Sequence, residues 1–91
     1  MNAIVCRVIS QTECAPINTQ KGAQMDKCFI RLKEIGGEYS NEYYCAVLGN
    51  LAQCRFQDGD KVMVTLKFRL YENNGSLRQD ILATDIISVN M

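Results

Sequence analysis

Apolar and polar residues alternate with a period of two along nearly the whole chain, which is the pattern of strands buried on one face. The first run is Ala3 to Cys14, with Ile4, Cys6 and Val8 on one side and Arg7 on the other. Ala15 to Gln24 is polar, carries Pro16 and Gly22, and reads as a loop. Met25 to Ile35 forms the second strand, and Gly36-Gly37 after it suits the positive φ angles of a tight hairpin. The third strand runs from about Glu38 to Leu48. The period then shifts: Leu51, Cys54 and Phe56 stand at near-helical spacing, with Asn50 placed to cap a short helix. Asp58-Gly59-Asp60 turns into a fourth strand, Lys61 to Glu72, where Val62, Val64, Leu66, Phe68 and Leu70 share one face. Lys61, Met63, Thr65, Lys67 and Arg69 occupy the other, so the register is set. Asn73-Asn74-Gly75 is a hairpin turn, and Ser76 to Val89 is the fifth strand. Its alternation slips near Asp85, where a bulge would restore it.

Three strands, a short helix and two more strands make an all-β chain. Five strands in so short a chain bury one face and remove most edges by curling into a barrel. The order is that of the OB-fold, a five-stranded Greek-key barrel with its helix between strands three and four. A two-layer sandwich or an SH3-like barrel is the alternative. With 91 residues, 10.3 kDa and no linker or repeat, residues 1–91 are expected to form a single OB-fold domain.

Charge and composition narrow the chemistry. Ten Lys and Arg balance ten Asp and Glu, so any basic surface is local. His is absent, which removes imidazole acid–base chemistry, His-activated nucleophiles and His-ligated zinc. No Gly-rich phosphate loop is present, and Asp58 and Asp60 around Gly59 read as turn formers. Catalysis, metal and cofactors are therefore not expected. The cysteines Cys6, Cys14, Cys28, Cys45 and Cys54 are odd in number and contain no CxxC pair, so they read as small buried hydrophobes. Arg7 interrupts the opening apolar stretch, and no run reaches the ~18 apolar residues of a membrane-spanning helix. A cytoplasmic protein without membrane association is expected.

The segment Glu42-Tyr43-Tyr44-Cys45-Ala46-Val47-Leu48-Gly49-Asn50-Leu51-Ala52 resembles the third-strand-to-helix segment of bacterial single-stranded DNA-binding proteins. Asp58 to Val64 resembles their lead-in to the fourth strand, and Asn73-Asn74-Gly75 with Asp80-Ile81-Leu82-Ala83 resembles their last hairpin and strand. The layout is similar, too, to the primosomal PriB-type proteins and to a small bacterial family related to both. The resemblance spans about residues 3–89 and rests on order and spacing. It implies an OB barrel, nucleic-acid binding without catalysis, and homo-oligomers. At Glu42 the chain has an acid where that family carries a stacking aromatic.

Single-strand binding needs cations for the backbone and flat side chains for the bases. On the second strand, Cys28, Ile30 and Leu32 inward leave Lys27, Phe29, Arg31 and Lys33 outward. The opposite register buries three cations, at several kcal/mol each, to hide one Phe worth ~2–3 kcal/mol. On the third strand Tyr43, Cys45 and Val47 face in and Tyr44 faces out, beside Phe29. Lys67 and Arg69 add outward charge, and Lys21 in the long first loop is placed to clamp a backbone. The expected partner is single-stranded DNA or RNA, without sequence specificity. Phe29 and Tyr44 would stack on bases, and Lys21, Lys27, Arg31, Lys33, Lys67 and Arg69 would meet phosphates. The rival is a protein–protein scaffold module, with Phe29 and Tyr44 covered by a partner. A homodimer or homotetramer is expected, joined through a free edge of the first strand.

Overall fold

Alternation decides which side of each strand is hidden, and the hidden sides close on one another. The computed structural model describes residues 3–89. It contains β1 (Ala3–Gln11), β2 (Ala15–Asn18), β3 (Gln24–Glu34), β4 (Glu42–Leu48), α1 (Asn50–Gln53), β5 (Lys61–Asn73) and β6 (Ser76–Ser88). The strands follow the order β1-β5-β6-β4-β3-β2, and β1 pairs with β3 as well, which closes the sheet into a barrel. The first part of β1 is laddered to β5, with Cys6 opposite Val62, and the later part to β3, with Val8 opposite Leu32.

The inward residues are those the period-two pattern selects. Cys6 and Val8 on β1, Cys28, Ile30 and Leu32 on β3, Cys45 and Val47 on β4, and Val62, Val64 and Leu66 on β5 are all buried. Ala52 of α1 plugs the end of this core, and Ile4, Tyr43, Leu51, Phe56 and Ile81 pack against it. β6 needs the expected bulge: Thr65 pairs with Asp85 but Leu66 with Ala83, so Thr84 is the extra residue. The bulge lets Ala83 and Ile86, three apart, both face inward. A second bulge at Ile9 on β1 eases the bend where that strand passes from one ladder to the other.

Several expectations need correction. The first strand stops at Gln11, not Cys14, and Ala15–Asn18 is not loop but the edge strand β2, paired with the start of β3. Pro16 fits there because an edge strand leaves one side of its backbone without a ladder partner. Gly36-Gly37 does not make a tight hairpin. The connection from β3 to β4 is longer, and the Ser40 hydroxyl donates to the Gly36 and Gly37 carbonyls. Asn50 does not cap the helix; Gly49 occupies the cap position at φ 69° and Asn50 is the first helical residue. Cys14 and Cys54 are exposed, so only Cys6, Cys28 and Cys45 are core hydrophobes. No free edge runs along β1, since it is hydrogen-bonded to β5 and β3 and, at Val8, to Gly59 and Asp60.

The apolar face of β5 keeps its parity beyond the barrel but not its burial. Phe68 and Leu70 are 49% and 68% exposed, and Leu77 on the facing part of β6 is 70% exposed. The β5–β6 hairpin therefore extends past the closed core as a two-stranded arm. No helix among the described residues is long and apolar enough to cross a membrane.

Candidate nucleic-acid interface

With Cys28 and Ile30 turned inward, Phe29 must point out; with Cys45 and Val47 inward, so must Ala46 and Tyr44. The strand pairings carry this outer surface across the sheet. Phe29 lies opposite Ala46, Ala46 opposite Leu82, and Leu82 opposite Lys67. One residue row along, Arg31 lies opposite Tyr44, and on the arm Arg69 lies opposite Asp80. Cation and ring positions expected separately from three strands thus share one continuous face.

At its centre the Phe29 and Tyr44 rings are stacked, their centroids 5.1 Å apart and their planes within 7°. The Lys27 Nζ stands over the Phe29 ring, 5.0 Å from its centroid, a cation–π contact. Phe29 is consequently half-buried rather than open, while Tyr44 remains 58% exposed.

A cleft of about 470 Å³ opens over this pair. Its floor is Phe29, Tyr44, Ala46 and Leu48; Ile17 and Lys27 bound one side, and Arg69, Tyr71, Gln79, Asp80 and Ile81 the other. The side walls are the β2–β3 hairpin and the β5–β6 arm. Gln20, at the tip of the first hairpin, comes to Lys67, Arg69 and Tyr71. Lys21 beside it is exposed at that tip, and the structure does not bring it onto the floor with the rings. Lys33 lies at the far end of the face, opposite Arg7 on β1 and Glu42 on β4.

Two of the expected cations already have carboxylate partners. Arg31 donates from Nε to Glu42 Oε1 at 3.0 Å, and its Nη2 is ion-paired with the same oxygen at 2.9 Å. Arg69 Nη2 lies 3.5 Å from Asp80 Oδ2. All four side chains are between 40% and 54% exposed, so each pair is worth about 0–1 kcal/mol and a phosphate can compete for the cation. Lys21, Lys27, Lys33 and Lys67 form no ion pair among the described residues.

Tyr43, behind the face, donates its hydroxyl to Glu34 Oε1 at 2.6 Å. That bond to a carboxylate, followed by burial, raises its pKa. Deeper still, burial and then the Glu34 charge push the Cys6 thiol up to about 11; burial and then Cys6 push Cys45 to about 12. The two thiols stay neutral in the core beneath the face. Among the described residues no cluster of His, Cys, Asp or Glu is arranged to hold a metal.

Tyr71 was not expected at the site. It shares strand parity with Lys67 and Arg69, and following that parity to the end of β5 would have found it. Ile17 and Leu48 carry no such signal, since their place depends on how the β2–β3 hairpin folds back.

No family model and no curated protein matches the sequence. Among solved structures the chain is similar to the second OB-fold domain of replication protein A from Methanococcus maripaludis, at a TM-score of 0.71. The two are 16% identical, and the alignment covers 98% of this chain and 83% of that one. The likeness, with the β1 closure and the helix between β4 and β5, shows that this chain folds as an OB barrel.

Proposed function

We propose that the protein is a single OB-fold domain that binds single-stranded nucleic acid, DNA in the first instance, without catalysis. The observation that carries this reading is the Phe29–Tyr44 stack, set in a cleft with a cation on each side, Lys27 and Arg69. Ring faces stack on any base and cations meet any phosphate, so most contacts of this kind tolerate sequence. Lys27 and Tyr71 border the rings; Lys67, Arg69 and the Lys21 hairpin line the way in on one side, and Arg31 and Lys33 continue the track on the other. The structural neighbour's place in a replication protein supports the same reading. The site of action is the cytoplasm, where the exposed thiols Cys14 and Cys54 stay reduced.

The bared arm surface supports a second element of the proposal, assembly into a homodimer or homotetramer. Phe68, Leu70 and Leu77 form an apolar strip on an otherwise unsupported two-stranded arm, which a second copy would cover. This replaces the β1 edge as the surface that joins subunits. A scaffold that binds another protein through Phe29 and Tyr44 is the alternative outcome.

The deciding experiment is a titration with fluorescent oligo-dT at two salt concentrations. Tight binding at low salt that weakens steeply as salt rises is expected, because phosphate contacts release counterions. Absence of binding at low salt removes the functional proposal and leaves the fold.

A further inference from the structure

The stack leaves one ring face open, and what lies beside that face is not neutral. Lys27 precedes Phe29 on β3, and Tyr44 pairs opposite Arg31, which follows it, so Phe29 is covered from both directions. The outer face of Tyr44 opens instead on a separate recess of about 530 Å³ lined by Arg31, Glu42, Tyr43 and Tyr44. A nucleobase stacked there meets the Arg31–Glu42 pair along its edge.

That pair is bonded asymmetrically. Arg31 Nε donates to Glu42 Oε1 and Nη2 is ion-paired with the same oxygen, while Oε2 accepts no hydrogen bond among the described residues and Arg31 Nη1 donates none. A guanidinium N–H beside two carboxylate oxygens presents a donor followed by two acceptors. Cytosine shows the same order to guanine on its pairing edge: an amino donor, then ring-nitrogen and carbonyl acceptors. We propose that the Tyr44 recess is a base-reading subsite that favours guanine in the bound strand. Glu42 accepts from the guanine N1–H and 2-amino group, and Arg31 donates to O6. Adenine, cytosine and thymine each turn at least one acceptor toward the carboxylate, and an unpaired acceptor facing a carboxylate is unfavourable. Single-stranded bases are read in this manner, by stacking and by hydrogen bonds on the pairing edge. The inference rests on the single-strand reading above and limits its sequence tolerance at one position of the strand.

The test is a competition among oligo-dT strands of about ten nucleotides, a length within the span of one OB-fold. One central position carries dT, dA, dC, dG or deoxyinosine. The dG strand is expected to bind about five- to thirtyfold more tightly than plain oligo-dT, the lower range for a bidentate base contact. Deoxyinosine, which lacks the 2-amino group, is expected to fall between them. Glu42→Gln is expected to bring dG within about twofold of dT while binding oligo-dT more tightly, a carboxylate near the phosphates having been removed. Equal affinity of dG and dT for the parent protein, or a preference that survives in Glu42→Gln, overturns the inference and leaves single-strand binding intact. Failure of every strand to bind at low salt removes both.

Discussion

At the scale of single residues, the rings and the thiols make separate predictions. Phe29→Ala is expected to weaken oligo-dT binding by about 1–3 kcal/mol, because the Tyr44 platform loses the ring that holds it in place. Because Phe29 is half-buried, its folding stability should fall by less than the ~3–5 kcal/mol of a fully buried Phe. Paired titration and urea melts check both; a variant that unfolds would mean the ring belongs to the core. For the thiols, native protein at pH 8 should react with maleimide at Cys14 and Cys54, while Cys6, Cys28 and Cys45 react only in denaturant. Mass spectrometry of the labelled peptides reads this directly. The raised thiols also set an alkaline limit. In the unfolded chain Cys6 and Cys45 ionise near 9.0, whereas the folded chain holds them to about 11 and 12. Above pH 9 the unfolded state therefore loses protons first, and stability falls with rising pH through 11 to 12. A urea midpoint that is steady below pH 9 and declines above it, less steeply in Cys6→Ala/Cys45→Ala, is the expected profile.

At the scale of elements, the long strands were legible because each keeps one parity for many residues. The β5 alternation placed Val62, Val64 and Leu66 correctly, and the slip near Asp85 was the Thr84 bulge. β2 was not legible: four residues with one Pro and one Ile carry too little alternation to stand out from a loop. Parity likewise identified the face of Phe68 and Leu70 but not their exposure, since alternation reports orientation and says nothing of whether another layer lies opposite. The same limit applies to the site. Phe29, Tyr44 and their flanking cations followed from the strands on which they sit, whereas the carboxylate partners of Arg31 and Arg69 came from cross-strand register. The arm offers the element-scale prediction. Phe68→Lys/Leu77→Lys is expected to convert an oligomer to a monomer in light scattering, with little loss of monomer stability because both side chains are exposed. A parent protein already monomeric at tens of micromolar, a concentration on the order of typical assembly affinities, would remove the assembly proposal.

At the scale of the whole molecule, zero net charge coexists with a cation-bearing cleft because Asp58 sits in a turn and Glu42 and Asp80 are tied to arginines. Long-range attraction is weak in such an arrangement, so binding depends on local contacts. Lys67, free of any ion pair among the described residues, should flatten the log–log salt dependence by about 0.7 when changed to Ala, the slope of one single-strand phosphate contact. Closure has a kinetic consequence as well. The barrel exists only once β1 has met β5, and that ladder joins Cys6 to Val62 across most of the chain. Until the chain loop between them closes, β1 has only its ladder to β3 and the β1 side of β5 has no partner, and the entropy of closing it must be overcome before the burial between β1 and β5 is gained. Pairings so distant along the chain slow the search for the native state, so refolding should take milliseconds to seconds, not microseconds, and the nascent chain remains open until nearly its last third has been made.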